Sequence, residues 1–235
     1  MKLNVSSAML SVALAASSLA SQAAEVTLTG WAFGNGNNVQ ATSTITSAGD
    51  YSGAAGAFRG ALAGAGSFNT NSFTYCIELE ESFYFSPDAM RGYSIVDAST
   101  YFEARRALNS NRPDGADVAE RLGQLMSWAD ADATRVDSAS QSTAMQLAVW
   151  NIVYDSDWTS TTASSFRDQS SYTTAATQML QAARNTTNRY DVFALTRAGT
   201  QDFLLTSLPN EVSALGLLMM EALLAPEGVI CTSLG

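Results

Sequence analysis

The sequence predicts an α+β fold: an antiparallel β-sandwich or barrel-like sheet, with a helical subdomain inserted between two strand segments. Residues 24–85 alternate apolar with polar side chains and are rich in Thr, Val and Gly, which is typical of strands and turns. From 99–185 the apolar residues recur every three to four positions, which indicates helices. The period of two returns in 188–206. Strands therefore come first, helices second and strands last.

The first strand region contains "EVTLTGWAF", "NNVQATSTITSAG" and the glycine-rich "GDYSGAAGAFRGALAGAGSF". Glycine at this density favours turns and close backbone approach. "NSFTYCIELEESFYF" is aromatic, β-branched and alternating, so we predict a strand across 73–85.

Four segments of the middle region fit helices: "DASTYFEARRALNS", "DGADVAERLGQLMSWAD", "SASQSTAMQLAVWNIVYD" and "SSYTTAATQMLQAARN". We expect Ser99 to cap the first helix and Ser140 the third. One face of the second helix carries Val118, Leu122, Leu125 and Met126. "RYDVFALTRAGTQDFLLTS" then predicts two short strands.

Both ends of the chain differ from its body. Residues 1–23 have one Lys2, an apolar stretch and small residues before Ala24, the pattern of a secretory signal peptide. We therefore divide the chain into a leader at 1–23, a domain at 24–207 and a tail at 208–235. The apolar run of the tail is interrupted by Glu221 and is shorter than the roughly 20 residues that a membrane span needs. A C-terminal helix buried against the domain is the alternative to a separate tail.

The charge and composition exclude several kinds of chemistry. The net charge is −10, which opposes binding to nucleic acid. The chain has no histidine, so Ser-His and Cys-His nucleophile pairs are excluded. Its only lysine is Lys2, so a mature chain without the leader has no Schiff-base lysine. We expect no cofactor and no metal.

Cys76 is the only cysteine in the predicted domain, and Gln146 stands in an apolar helical run. In a strand, Cys76 shares its face with Glu78 and Glu80. Gln146 shares a helical face with Trp150, where a buried amide needs hydrogen-bond partners. From the residues alone, Cys76 is a small buried side chain or pairs with Cys231 in a disulfide. Gln146 equally fits an amide that caps a strand edge.

Two short motifs resemble the thioester domains of bacterial surface adhesins. They are Tyr75-Cys76-Ile77-Glu78 ("YCIE") and "MQLAVW" at 145–150, with Met145 where threonine is common in the family. The resemblance implies that the Cys76 sulfur attacks the Gln146 side-chain carbonyl and releases ammonia. The resulting thioester acylates an amine or hydroxyl on a surface or matrix molecule. Such a bond needs an apolar wall against water, which we expect Tyr75, Leu147 and Trp150 to supply. Glu78, on the strand face of Cys76, is either a proton shuttle or a solvated strand residue.

The tail "SLPNEVSALGLLMMEALLA" resembles the PEP-CTERM sorting signal of Gram-negative bacteria, although it lacks the second proline and a basic end. The resemblance implies export, with transient membrane contact through the tail and a tail helix that packs little against the domain. "LTRAGTQDFLL" resembles the segment that ends the Cys–Gln body of such tailed proteins.

We therefore predict an exported, non-enzymatic surface protein that attaches covalently. Two other functions stay open. The first is a non-covalent structural or exopolysaccharide-associated envelope protein. The second is a hydrolase that uses two carboxylates from the set Glu78, Glu80, Glu81 and Glu103.

Overall fold

The computed structural model describes residues 24–45, 50–64, 70–83, 85, 90–160 and 165–208. The fold is mixed α+β, with antiparallel sheets and with helices between the strand segments, as the sequence predicts. The predicted leader, the sorting-like tail beyond Leu208 and Cys231 lie outside the described residues. Within the described ranges, no helix is long and apolar enough to cross a membrane.

Nine strands occur in the described parts of the chain, and they form two sheets. Their bounds are β1 Ala24–Trp31, β2 Asn37–Ser43, β3 Asp50–Ala55, β4 Phe58–Ala63, β5 Thr70–Thr74, β6 Met90–Asp97, β7 Phe166–Asp168, β8 Asp191–Thr196 and β9 Phe203–Ser207. The larger sheet has the order β5-β4-β1-β6-β8-β9, and the smaller one has the order β3-β2-β7. Gly60 allows β1 and β4 to approach, since a Cβ there would lie 2.3 Å from the Thr27 carbonyl oxygen.

The larger sheet curls until its two edge strands meet. Just beyond β5, Cys76 forms an isolated antiparallel bridge with Phe203 of β9. Two backbone hydrogen bonds flank this bridge: Leu204 N–H donates to the Tyr75 carbonyl (2.9 Å) and Ile77 N–H to the Asp202 carbonyl (3.1 Å). Thr74 Oγ1 also donates to the Leu204 carbonyl (2.6 Å). The bridge therefore fixes Cys76 at the seam of the sheet.

Four helices separate β6 from β8: α1 Ala98–Leu108, α2 Gly115–Asp130, α3 Ala139–Tyr154 and α4 Thr173–Ala183. The predicted caps are wrong at two helices. Asp97 caps α1, because its carboxylate accepts Thr100 N–H, and Ser99 lies within the first turn and donates to that carboxylate. Ser138 caps α3 by accepting Gln141 N–H, and Ser140 lies inside that helix.

The centre of the molecule is α3, in which every residue at 142–154 is buried. Sheet strands and helices pack around it, and β7 adds a short strand within the predicted helical region. The apolar side chains of α2 at Val118, Leu122 and Leu125 join the same core, whereas Met126 is only partly buried. Gln146 therefore lies in the interior of the domain.

The predicted strand at 73–85 is wrong in its length. Regular pairing ends at Thr74, and Cys76 forms only the single bridge. The expected alternation of buried and exposed side chains is also absent, since all residues at 75–79 are buried. The reason is that this segment fills the seam, where β9 pairs with it and α3 packs behind it, so neither face meets water.

Candidate functional site

The backbone of Cys76 has two hydrogen-bonding groups that β9 does not use. In an antiparallel pair, the residue flanked by the ladder bonds points its own N–H and C=O away from the partner strand. Cys76 is in that position, because the bonds to β9 come from Tyr75 and Ile77. Buried backbone groups need partners. Among the described strands, no further one supplies them to Cys76.

Gln146 supplies both partners. Cys76 N–H donates to Gln146 Oε1 (2.9 Å), and Gln146 Nε2 donates to the Cys76 carbonyl oxygen (2.8 Å). The two residues are 6 % and 1 % exposed. The side-chain amide takes the place that the peptide group of another strand would occupy. Its carbon is thereby held beside the residue that carries the thiol.

One cavity of about 230 Å³ contains both residues. Its walls are mainly aromatic side chains from the strands, from α3 and from the segment after Cys76: Trp31, Tyr51, Phe58, Phe83, Phe85 and Trp150. Phe85 is 41 % exposed, so the cavity reaches the surface beside it. Its polar lining besides the Cys–Gln pair comes from Glu78, Glu81, Ser82 and Gln201.

The aromatic walls are packed against each other. Phe58 contacts Trp31 and Phe83, each with ring centroids 4.8 Å apart, and Trp150 contacts Tyr51 at 5.0 Å. Trp150 is 2 % exposed, and its Nε1 has no hydrogen-bond partner among the described residues. The Cys–Gln pair is therefore surrounded by closely packed aromatic rings, together with one cluster of charges.

That cluster is centred on Glu78, which is 2 % exposed and shares the face of Cys76. Its carboxylate accepts hydrogen bonds from Arg105 (2.6 Å) and from the backbone N–H of Asp202 (2.8 Å). Arg105 also contacts the Asp202 carboxylate at 3.2 Å. One guanidinium therefore forms ion pairs with two buried carboxylates.

This arrangement changes the acidity of two groups. Burial and the nearby Asp202 carboxylate together raise the pKa of Glu78 from 4.5 to about 7, because they outweigh the hydrogen bond from Asp202 N–H and the charge of Arg105, which both lower it. Burial also raises the pKa of the Cys76 thiol well above its usual range, with a second contribution from Glu78. At neutral pH the Cys76 sulfur is therefore a thiol, and Glu78 is close to half-protonated.

The structure places the predicted supporting residues in two different surroundings. Glu78 and Trp150 line the cavity with Cys76 and Gln146. Tyr75 lines a separate apolar groove of about 310 Å³ next to Met145 and Met126. Leu147 is fully buried, and neither it nor Tyr75 lines the cavity of the Cys–Gln pair.

Several residues of the site were not predicted from the sequence. Arg105, Gln201, Asp202 and the aromatic side chains from β1, β3 and β4 come from distant parts of the chain. Gln201 donates to the Glu78 carbonyl oxygen (3.2 Å). Gln201 and Asp202 belong to "LTRAGTQDFLL", so the sequence did contain a signal for these two.

Of the other candidate carboxylates, Glu81 lines the cavity, whereas Glu80 and Glu103 are bound to arginines. Glu80 accepts from Arg112 (2.7 Å) and from the Tyr154 hydroxyl (2.7 Å). Glu103 accepts from Arg106 (2.9 Å). Within the described ranges, no group of three or more Cys, Asp and Glu residues is arranged to hold a metal ion.

Comparisons with known proteins find similarity among solved structures only. No sequence model of a protein family matches the chain, and no curated protein sequence matches it. Among solved structures, the chain is similar to the N-terminal domain of the Streptococcus pyogenes pilus tip adhesin Cpa. The TM-score is 0.40 and the identity 14 %, over 72 % of this chain and 93 % of that chain. A similarity of this size assigns neither a family nor a function.

Proposed function

We propose that this protein is an exported, adhesin-like surface protein that forms an internal thioester between Cys76 and Gln146 and uses it to attach covalently to a partner. The observation that carries the proposal is the pair of hydrogen bonds that holds the Gln146 amide on the backbone of Cys76. The residues that carry the amide and the thiol line one aromatic cavity that reaches the surface.

Thioester formation is an acyl transfer within the chain. The Cys76 sulfur attacks Cδ of Gln146, and the C–N bond to Nε2 breaks. The thiol proton leaves with the amide nitrogen as ammonia. Cys76 N–H already donates to Oε1, the oxygen that becomes negative during the attack, so it acts as an oxyanion donor.

The thiol must lose its proton for this step, although burial raises its pKa. Glu78 lines the same cavity, and its pKa of about 7 suits a group that accepts a proton and returns it. Glu78 therefore carries the thiol proton, and Arg105 and Asp202 adjust the pKa of its carboxyl group.

Attachment to a partner is a second acyl transfer, in which an external nucleophile replaces the Cys76 sulfur. An amine or hydroxyl of a surface or matrix molecule attacks the thioester carbon, the C–S bond breaks, and Cys76 regains its proton from the nucleophile. The aromatic walls reduce the access of water, which would hydrolyse the bond. Each molecule reacts once, so the protein is a covalent binder and not an enzyme.

The proposed setting follows from the ends of the chain and from its charge. The leader-like 1–23 and the sorting-like 208–235 fit export to the cell surface, with transient membrane contact through the tail. The net charge of −10 disfavours nucleic acid as a partner.

Intact-mass measurement of the full chain, purified without added amines, tests the proposal. The wild-type protein is expected to weigh one ammonia less than its processed sequence, and methylamine should add to Gln146. Cys76→Ala and Gln146→Glu should show no ammonia loss and no methylamine adduct. Gln141→Glu, on the same helix but outside the cavity, is the matched control and should behave as the wild type. A full mass with a titratable thiol at Cys76 would overturn the proposal.

A second candidate function is supported by the same contact. The Gln146 amide satisfies both backbone groups of Cys76 without any covalent bond, so it closes the sheet seam by itself. In that case the protein is a non-covalent structural envelope protein. The full mass described above is the result that favours this function.

A further inference from the structure

A second contact joins the chain around Cys76 to α3, about two helical turns beyond Gln146. The Tyr154 hydroxyl accepts Leu79 N–H (2.9 Å) and donates to Glu80 Oε2 (2.7 Å). Tyr154 is fully buried, and it is not among the residues that line the cavity. Residues 76–79, the reactive segment, are thus attached to one helix at both ends.

The two sides of the reactive segment are held in different ways. On the β9 side, Ile77 N–H donates to the Asp202 carbonyl (3.1 Å), and Gln201 Nε2 donates to the Glu78 carbonyl (3.2 Å). On the α3 side, the hydrogen bonds in the described part of the chain come from the side chains of Gln146 and Tyr154. These two side chains therefore set the position of the segment along the helix.

Gln146 is an unsuitable reference point for that position, because it is the reacting group. Its Cδ moves to the Cys76 sulfur and its Nε2 leaves, so its contacts with Cys76 change during the reaction. Tyr154 does not react. Burial and the Glu80 carboxylate hold the pKa of Tyr154 well above its usual range, so its hydroxyl keeps its proton at neutral pH. Its two hydrogen bonds can persist unchanged through the reaction.

We propose that the Tyr154 hydroxyl is a positioning group for thioester formation: its contact with Leu79 fixes the register of the reactive segment on α3. This inference rests on the proposed thioester. Acyl transfer depends on placement, and a displacement of about 1 Å costs about 100-fold in rate. Tyr154 is itself held in place, because Arg112 binds its acceptor Glu80 (2.7 Å) and lies over its ring (4.9 Å).

Tyr154→Phe removes this attachment with little other change. The ring can keep its stacking against Phe166, with centroids 6.4 Å apart. Leu79 N–H keeps a bond to Glu80 Oε2 (3.2 Å), which is local and does not reach α3. We therefore expect the unfolding equilibrium constant to rise by only about fivefold. Ile152→Val removes one buried methyl group from the same helix at a similar cost, so it is the matched control.

The rate of thioester formation tests the proposal. Full-length chains are made by cell-free synthesis, and the loss of ammonia is followed by intact mass, while urea unfolding measures the stability of each variant. We expect Tyr154→Phe to lose ammonia at least about tenfold more slowly than the wild type. Ile152→Val should lose it at the wild-type rate.

The formed thioester gives a second readout that a general loosening of the domain would move. Once the C–S bond exists, it fixes the register by itself. The thioester of Tyr154→Phe should therefore react with methylamine at the wild-type rate, although it formed slowly. A changed methylamine rate in Tyr154→Phe, or slow formation in Ile152→Val as well, would mean that stability alone is responsible and would overturn the inference.

Formation at the wild-type rate in Tyr154→Phe would also overturn the inference, and it would leave the thioester itself intact. A wild-type chain that keeps its full sequence mass would instead remove the proposed function and this inference with it.

Discussion

The two sides of the Cys–Gln contact differ although they are formed by neighbouring residues. Cys76, Glu78, Gln146 and Trp150 line the aromatic cavity, whereas Tyr75 and Met145 line the groove. The difference follows from the periods of the two elements. Residues two apart share a side of an extended segment, and residues four apart share a side of a helix. Of the residues near Cys76 and Gln146 in the two motifs, the direct neighbours Tyr75, Met145 and Leu147 therefore do not line the cavity, whereas the spaced residues Glu78 and Trp150 do.

The largest expected effect distinguishes the two sides of α3. Trp150→Ala and Met145→Ala each remove a large buried side chain, and each should lower the free energy of unfolding by about 2–5 kcal/mol. Only Trp150→Ala opens the cavity wall, so only this variant should lose its thioester to hydrolysis. Urea unfolding and intact mass measure the two quantities. Equal loss of thioester in both variants would contradict the assignment of separate sides.

A smaller effect concerns the hydrogen bonds between Gln146 and Cys76. Gln146→Leu leaves the Cys76 N–H and C=O without partners, which should cost about 2–4 kcal/mol of unfolding free energy. Met145→Leu conserves volume on the groove side and should cost under about 1.5 kcal/mol. The comparison is made by urea unfolding of both variants in the Cys76→Ala background, where no thioester forms. Similar losses in the two variants would show that the amide contact does not stabilise the seam.

The charge cluster predicts a pH dependence of stability. The pKa of Glu78 is raised from 4.5 to about 7, so the folded state holds more protons than the unfolded state between these values. Stability from this group is present below about pH 4.5 and is lost as the pH rises through about 7, by at most about 3 kcal/mol.

Glu78→Gln should remove this slope, which urea unfolding at several pH values measures. Glu80→Gln is the matched control, since Glu80 also binds one arginine and a backbone N–H but shares its arginine with no second carboxylate among the described residues. The slope should remain in Glu80→Gln. If the pH slope of stability persisted in Glu78→Gln, another titrating group would be responsible for it.

The smallest effect lies on the groove side. Tyr75→Phe removes one buried hydroxyl beside the groove, at a cost of about 1 kcal/mol. Because Tyr75 lies outside the cavity, methylamine labelling of Gln146 should proceed at the wild-type rate. A several-fold change in that rate would show that Tyr75 does belong to the apolar wall that the sequence predicted.

Much of the fold was predictable because local patterns decide it. The periods of two and of three to four located the strand regions and the four helices. The capping residues were misplaced, because Asp97 and Ser138 compete with nearby serines that fit the same motif, and backbone geometry decides between them. The length of the strand around Cys76 was also wrong, because its pairing depends on β9, which is distant in the chain.

The sequence by itself determined the identities that limit the chemistry: one cysteine in the domain, no histidine, and a glutamine in an apolar helix. It also paired Cys76 with Gln146 through two short motifs. Only the tertiary structure decided how the two residues meet, because closure of the sheet at Phe203 turns the unused N–H and C=O of Cys76 toward α3. The same closure brings Asp202 and Arg105 to Glu78 and raises its pKa. These contacts join residues far apart in the chain, so no local pattern can encode them.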